Sequence, residues 1–330
     1  MWFMGQRNKV IGGYFELELP KREEYHKNVL ALNTGRNCLE YILRLRGYKK
    51  VFLPYYTCEV ILEPFSKLNV DYEFYHINKN FTLKDDIQLN DNEALLYTNY
   101  YGLQEEYAKK LSKKYSTRLI IDNTQAFYNL PMKDVDSFNT CRKFFGVSDG
   151  AYCFTNKTLN ENVEQDVSFD RMSFLLKRID LSAEQGYEDF RKQSEALVNM
   201  DIRLMSKLTH RIMASIDYDK VKRIRRENFL YLHSVLSSTN ELNLCLKDDE
   251  VPMVYPYLIN TDGLREKLIR NKIFVARYWP NVLDWTTPKD DEYYLTQHLL
   301  PLPIDQRYNK EEMKMIIEII KGKKGYCTDA

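Results

Sequence analysis

The chain has 330 residues, of which 44% are hydrophobic and 29% are charged. This composition excludes a chain that is disordered as a whole, and the length allows one large core or two coupled cores. The 48 Lys and Arg residues nearly balance the 47 Asp and Glu residues, which leaves a formal net charge of +1. A general binder of polyanions such as nucleic acid is therefore excluded, and any anion must be bound locally.

In chain order, short apolar runs first alternate with helix-like segments. The predicted strands are residues 50–54, 70–77, 94–102, 118–122 and 151–156, and the predicted helices are residues 37–46, 58–68 and 104–114. This alternation is typical of a mostly parallel sheet flanked by helices, so we predict an α/β fold.

The chain changes character after Thr158. Residues 173–237 show long helical periodicity, and they are followed by predicted strands at 252–260 and 272–278 and predicted helices at 263–270 and 310–320. We therefore predict a large α/β domain over residues 1–200. Residues 201–330 would form a helical connection and a smaller α+β domain.

Membrane and metal sites are not expected. No apolar stretch approaches the roughly 20 residues of a membrane span, and the first ten residues lack a signal-peptide core, so we expect a cytoplasmic protein. The cysteines are scattered without metal-ligand spacing, which predicts free thiols and no metal: Cys38, Cys58, Cys141, Cys153, Cys245 and Cys327. The histidines share no motif and are interpreted as structural: His26, His76, His210, His233 and His298.

A cluster of basic residues lies in one predicted helix. It alternates with Val221 and Ile224, which is typical of an amphipathic helix with a solvated face, and we favour this interpretation over nucleic-acid binding. The basic residues are Lys220, Lys222, Arg223, Arg225 and Arg226.

Three short motifs lie where ligands collect in open α/β sheets, at strand ends and helix starts. Thr34 and Gly35 open an apolar helix and can bind a phosphate, or they can form an ordinary N-cap. Asp122 ends an apolar strand and can be a helix cap, a metal ligand or the partner of a cationic ring nitrogen. Lys143 lies beside two phenylalanines and can be a desolvated nucleophile, or it can extend its amine to solvent.

Together these motifs are the groups that pyridoxal phosphate (PLP) needs: a phosphate site, a carboxylate for the ring nitrogen and a lysine for the aldehyde. On these residues the sequence resembles the DegT/DnrJ/EryC1/StrS family of sugar aminotransferases, which are fold-type I PLP-dependent transferases. The resemblance runs from about Ile11 to the last helix. Its other motifs are Pro54-Tyr55-Tyr56-Thr57, Tyr100-Tyr101-Gly102, Asp149-Gly150, Tyr278-Trp279-Pro280 and Leu300-Pro301-Leu302-Pro303.

The resemblance implies roles for individual residues. Lys143 would carry the cofactor as a Schiff base, Asp122 would pair with the ring N–H, and Gln125 would lie near the ring or its phenolic oxygen. The residues implied to hold the phosphate are Thr34, Gly35, Arg36 and Thr140.

Some positions depart from the family pattern. Cys58 falls where the family often has an aromatic ring on the cofactor, so either Cys58 or a displaced Tyr55 or Tyr56 would cover that face. The segment that reaches a neighbouring subunit's cofactor is matched only in part, by residues 200–203. Tyr278 and Trp279 are candidates to line a substrate entrance, with core packing as the alternative for Trp279.

The resemblance implies an aminotransferase that moves an amino group from glutamate to a nucleotide-linked keto sugar, in surface polysaccharide or related sugar biosynthesis. It also implies a homodimer. Dehydrating relatives carry His in place of the lysine, so Lys143 argues against that branch. The alternative is a catalytically idle relative that binds a ligand or regulates, which the presence of both Asp122 and Lys143 disfavours.

Overall fold

The computed structural model describes residues 11–322, so Cys327 lies outside the described residues. Seven strands form one sheet in the order β1-β7-β6-β5-β4-β2-β3. Strands β2 to β6 pair in parallel, whereas β7 runs antiparallel to both of its neighbours, β6 and β1. The predicted mostly parallel α/β sheet is confirmed. The strands are β1 (Leu30–Leu32), β2 (Lys50–Pro54), β3 (Asp71–Tyr75), β4 (Glu93–Thr98), β5 (Leu119–Asp122), β6 (Asp136–Phe138) and β7 (Ala151–Phe154).

Helices cover both faces of this sheet. On one face, Ala94 and Leu96 of β4 pack with α1 (Gly35–Arg46) and α2 (Glu63–Leu68). On the other face, Leu95 and Tyr97 pack in the core that contains α3 (Glu105–Tyr115). Because both faces are buried, the inner strands are continuous apolar runs instead of alternating ones.

The second half of the described chain begins with helices and ends in a small antiparallel sheet. In this sheet β8 (Val254–Leu258) pairs with β9 (Leu299–Pro303), and both strands share a core with the long helix α7 and the last helix α11. The division at residue 200 stays a prediction. The helices are α4 (Ser173–Asp180), α5 (Tyr187–Ala196), α6 (Lys207–Met213), α7 (Tyr218–Leu236), α8 (Leu264–Arg270), α9 (Val282–Trp285), α10 (Asp291–His298) and α11 (Lys310–Ile320).

Three predicted elements differ from the structure. The strand predicted over 94–102 ends at Thr98, because Tyr101 and Gly102 have left-handed φ angles of 59° and 73° that form a turn. Residues 59–68 are a 3-10 turn followed by α2, not one helix. The strand predicted over 272–278 is absent from the described chain, and the Arg265 side chain donates to the carbonyls of Val275 and Ala276 there. The partner of β8 is β9 instead.

The basic residues of α7 do not share one solvated face. Arg225 is only 1% exposed, and its guanidinium donates to the Met253 carbonyl at 2.9 Å and lies 4.7 Å from the centre of the Phe144 ring. The prediction of a solvated face is therefore wrong for Arg225, because carbonyl oxygens and an aromatic ring replace its water. Within residues 11–322 no helix is both long and apolar enough to span a membrane.

Candidate functional site

The three motifs meet around the side chain of Thr124, which follows β5. The Lys143 amine donates to Thr124 Oγ1 at 3.0 Å, and the Thr124 N–H donates to Asp122 Oδ1 at 2.7 Å. A β-carbon at Gly35 would lie 3.3 Å from Thr124 Cγ2, so the start of α1 also touches this residue. Gly35 lies about 90 positions before Thr124 in sequence, and Lys143 lies about 20 positions after it. The three residues thus form one site at the carboxyl edge of the parallel strands.

Asp122 provides a fixed carboxylate at the end of β5. It is 7% exposed, and burial raises the pKa of this carboxyl group, whereas the charge of Lys143 and hydrogen bonds from Thr124 act in the opposite direction. The carboxylate has a donor that holds it in place, and it can accept a further N–H group from a ligand.

Lys143 lies in the connection between β6 and β7, and its side chain is exposed to solvent. Its neighbours Phe144 and Phe145 are buried in the core, while the lysine side chain is exposed. Loss of hydration against the protein walls lowers the pKa of the Lys143 amine, and the negative charge of Asp122 partly restores it. The amine is therefore reachable by a ligand, and its lowered pKa gives it a larger neutral, nucleophilic fraction than a free lysine has.

The start of α1 is built as a helix cap. The Thr34 hydroxyl accepts from the Asn37 N–H at 3.1 Å and donates to Asn37 Oδ1 at 2.6 Å, so the N-cap interpretation holds for this side chain. The N–H groups of Gly35 and Arg36 come before the first intrahelical donor, the Cys38 N–H, and have no acceptor within the helix. Such groups, at the positive end of the helix dipole, can bind an anion.

The other two residues predicted to hold a phosphate have protein partners. The Arg36 guanidinium forms an ion pair with Glu63 and donates to the Leu197 carbonyl at 2.9 Å, so it points away from the helix start. The Thr140 hydroxyl donates to the Gly150 carbonyl at 3.3 Å and keeps its lone pairs available.

Arg142 is a site residue that the sequence motifs did not identify. Its guanidinium donates to Gln193 Oε1 at 2.7 Å and to Ser194 Oγ at 3.3 Å, and no carboxylate of the described chain lies within 4.0 Å. Burial, together with the charge of Arg36, lowers the pKa of Arg142 to about 10. Because Arg36 is paired with Glu63, the positive charge of Arg142 is the one that favours an anionic ligand near the start of α1. The only signal in the sequence was its position next to Lys143.

Gln125 carries an unpaired polar group. It is fully buried, and its Oε1 accepts from the Tyr101 N–H at 2.9 Å. Its Nε2 has no hydrogen-bond partner among residues 11–322. A buried donor without an acceptor costs about 1–3 kcal/mol, so this amide is suited to a ligand that supplies the acceptor.

Among the three candidates for the ring face, Cys58 is the one electrostatically linked to Lys143. Burial raises the pKa of the Cys58 thiol, and the charge of Lys143 opposes this shift. Tyr55 instead stacks on Phe74, with ring centres 4.9 Å apart, and the buried Tyr56 pairs its hydroxyl with that of Tyr101 at 3.2 Å.

Residues 200–203 lie against the start of α1 in the same chain. The Asn33 amide donates to the Asp201 carbonyl at 3.0 Å, and the Asn37 amide donates to the Met200 carbonyl at 2.9 Å. A contact of this segment with a second subunit stays a prediction.

The two candidate entrance residues differ in burial. Trp279 is 9% exposed and meets the Tyr56 ring edge-on at 5.1 Å, which supports core packing for this residue. Tyr278 is less buried and stays a candidate for the entrance. No group of three or more potential metal ligands occurs in the part of the chain that the structure describes.

No protein-family model matches the sequence, and no curated protein matches it either. Solved structures match the fold over most of the chain. A DegT DnrJ EryC1 StrS aminotransferase from Brucella abortus has a TM-score of 0.59 and 15% identity, and the match covers 90% of this chain and 86% of that one. S. venezuelae DesV in complex with a ketimine intermediate has a TM-score of 0.61 and 17% identity over 89% and 84% of the two chains.

A third similar structure is the E. coli GDP-4-keto-6-deoxy-D-mannose-3-dehydratase with bound hydrated PLP. Its TM-score is 0.59, its identity is 14%, and the match covers 88% of this chain and 87% of that one. At these identities the comparisons establish the fold, and they confirm the prediction of the fold-type I architecture found in DegT/DnrJ/EryC1/StrS aminotransferases.

Proposed function

We propose that the protein is a PLP-dependent aminotransferase that moves an amino group from glutamate to a nucleotide-linked keto sugar. The observation that carries this proposal is the arrangement of Lys143 and Asp122, which are joined through hydrogen bonds to Thr124. An accessible amine with a lowered pKa and a buried carboxylate are the two groups that the cofactor's reactive ends require.

The other residues of the site also fit PLP. The unpaired Gln125 Nε2 can donate to the phenolic oxygen of the cofactor. The N–H groups of Gly35 and Arg36 can bind its phosphate, and the charge of Arg142 supports them. Because the Arg36 guanidinium is paired with Glu63, we assign the contact of this residue to its backbone. Thr34 caps the start of α1. The Thr140 hydroxyl can add a contact to the phosphate, and the Cys58 side chain covers one face of the cofactor ring.

When bound, PLP supplies an electron sink that allows an amino group to leave one carbon and join another. Lys143 attaches the cofactor, and its amine then moves a proton at the substrate carbon as general base and general acid. Its lowered pKa increases the neutral fraction near pH 7, which the base role requires. Asp122 holds a proton on the ring nitrogen, and the Thr124 N–H keeps the carboxylate in place for this role.

A keto sugar carried on a nucleotide is supported by the similar structures, since the name of the E. coli enzyme contains GDP-4-keto-6-deoxy-D-mannose. That enzyme is a dehydratase, so dehydration is the competing reaction of the same cofactor. The lysine at position 143 favours amino transfer by resemblance, because dehydrating relatives carry His there. Glutamate and nucleotide sugars are cytoplasmic metabolites, and we therefore place the proposed reaction in the cytoplasm.

The amino-donor half of the reaction tests the proposal without knowledge of the sugar. Full-length protein is loaded with PLP and mixed with glutamate, and 2-oxoglutarate is quantified. We expect about one equivalent per site, none with Lys143→Ala, and the wild-type amount with Lys157→Ala, which changes an exposed lysine elsewhere. Loaded protein that yields no 2-oxoglutarate would instead support the ligand-binding alternative, and product from Lys143→Ala would refute the role of the lysine.

A further inference from the structure

We propose that Thr124 is a positioning residue for Lys143, and that its hydroxyl fixes the amine beside Asp122 before any cofactor binds. This inference rests on the proposed function of Lys143 as the attachment point. Thr124 is absent from the set of residues that the sequence resemblance implies, so its role follows from the geometry of the site alone.

Thr124 contacts three parts of the site with three different groups. Its hydroxyl oxygen accepts from the Lys143 amine at 3.0 Å, and its N–H donates to Asp122 Oδ1 at 2.7 Å. Its methyl group packs on the start of α1, where a β-carbon at Gly35 would lie only 3.3 Å away. Because a β-branched side chain has few allowed χ1 angles, the methyl contact fixes the direction of the hydroxyl.

Lys143 needs such a partner because its side chain is long and reaches solvent. A lysine side chain has four rotatable bonds, and a hydrogen bond at its end selects among their rotamers. Its amine has a hydrogen bond to Thr124 and lies within electrostatic reach of Asp122 and Cys58. The Thr124 hydroxyl therefore selects the conformation in which the amine stands over the end of β5.

The same hydrogen bond affects the protonation of the lysine. Asp122 and Cys58 favour the charged amine, whereas burial and the neighbouring Arg142 disfavour it. An acceptor oxygen also favours the charged form, because the ammonium group donates to it. Removal of the Thr124 hydroxyl should therefore lower the pKa of Lys143 further, while Asp122 loses a hydrogen bond that favours its carboxylate form.

The test measures Lys143 in the full-length protein without PLP. Competitive labelling with acetic anhydride across a pH series, read by mass spectrometry of the Lys143 peptide, gives the pH midpoint of its amine. We expect Thr124→Val to move this midpoint down by about half a pH unit or more, and Thr124→Ser to restore it in part, because serine keeps the hydroxyl but lacks the methyl contact. Thr155→Val is the matched control, because the Thr155 hydroxyl has no partner among the described residues.

A wild-type midpoint in Thr124→Val, or a Thr124→Ser protein that behaves like Thr124→Val, would overturn the inference. If the valine variant fails to fold by circular dichroism, Thr124→Ala against Thr124→Ser makes the same comparison. Failure of the proposed function has a different signature, since PLP would then attach to another residue or to none. The labelling midpoints do not depend on that result.

Discussion

Asp122 and Lys143 each stabilise the charged form of the other. Burial raises the pKa of Asp122 and lowers the pKa of Lys143, and in both cases the charge of the partner opposes the effect of burial. The pKa of each group therefore depends on the charge of the other. A buried carboxyl group with a raised pKa next to an amine with a lowered pKa is a pair of shifted groups typical of functional sites.

Substitution of Asp122 by Asn tests this coupling. Asn keeps an oxygen that can accept from the Thr124 N–H, but it removes the negative charge that favours the Lys143 ammonium. The pKa of Lys143 should fall, so its labelling midpoint moves to lower pH by about one unit. Labelling of the Lys143 peptide across the pH series measures this shift. A midpoint that stays in place or rises would show that Asp122 does not act on the amine.

At the residue scale, chemical type and position identified Lys143 and Asp122 as candidates, and the structure brings both side chains to Thr124, while their roles towards a cofactor stay predictions. Chemical type and position did not predict the partners of Arg36, because Glu63 and Leu197 lie 27 and 161 positions away in sequence. Sequence patterns also did not single out Thr124, because its hydroxyl meets the Lys143 amine only when the lysine loop, residues 139–150 between β6 and β7, folds over β5. Side-chain partners across long loops cannot be read from local patterns.

Among the elements, α6 anchors the end of the lysine loop. Asp149 is fully buried and accepts from the N–H of Ser206 at 2.8 Å, from the Ser206 hydroxyl at 2.8 Å and from the Thr209 hydroxyl. The next residue, Gly150, has a left-handed φ of 110°, and a β-carbon there would meet Thr209 Cγ2 at 2.8 Å. Hydrogen bonds to Asp149 thus connect the loop that carries Lys143 to the start of α6.

Asp149→Ala should destabilise the fold by about 3 kcal/mol, because it leaves several buried donors without an acceptor. Urea unfolding followed by circular dichroism measures this loss. The control is Asp170→Ala, which changes an exposed aspartate and should stay within about 0.5 kcal/mol of wild type. Equal stability of both variants would mean that α6 is held by apolar packing alone.

The elements that sequence patterns missed are short or proline-containing. Strands β1 and β6 have three residues each, too few to show a period, and β9 contains two prolines that usually argue against a strand. Pro301 is nevertheless tolerated because β9 pairs on one side only, with β8. By contrast, the bounds of β2 and α11 match the prediction because strong apolar patterns and clear turn or cap residues delimit them.

At the scale of the molecule, the second half of the chain also contacts the lysine loop. The Phe144 carbonyl, next to Lys143, accepts from Gln306 Nε2 at 2.8 Å, and the Arg225 guanidinium lies over the Phe144 ring. The position of Lys143 therefore depends on segments from both halves of the chain. Sequence patterns predicted the order of these halves but not this contact between them.

An exposed apolar surface on α4 and α5 borders the lysine loop, and we propose that a second copy of the chain covers it. Leu175 Cδ2 lies 3.5 Å from the position of a β-carbon at Gly146, so this surface is continuous with the lysine loop. Ile179 is 81% exposed, which is costly for an apolar side chain without a partner. The other exposed apolar residues of α4 and α5 include Leu176, Tyr187 and Phe190.

Light scattering after gel filtration tests this arrangement. We expect a dimer for the wild type and a shift towards monomer for Ile179→Glu, because a charge placed in an apolar interface must be desolvated. Met315→Glu, which alters an exposed residue on α11, should remain dimeric. A monomeric wild type, or an Ile179→Glu protein that remains fully dimeric, would contradict the proposed interface.

The central claim is that Lys143 attaches PLP, and chemical trapping tests it most directly. Full-length protein is incubated with PLP, reduced with sodium borohydride and digested, and the modified residue is located by mass spectrometry. The account predicts one phosphopyridoxyl group per chain on Lys143, and loss of that group in Lys143→Ala. A stable adduct on a different lysine, or no adduct at saturating PLP, would contradict it.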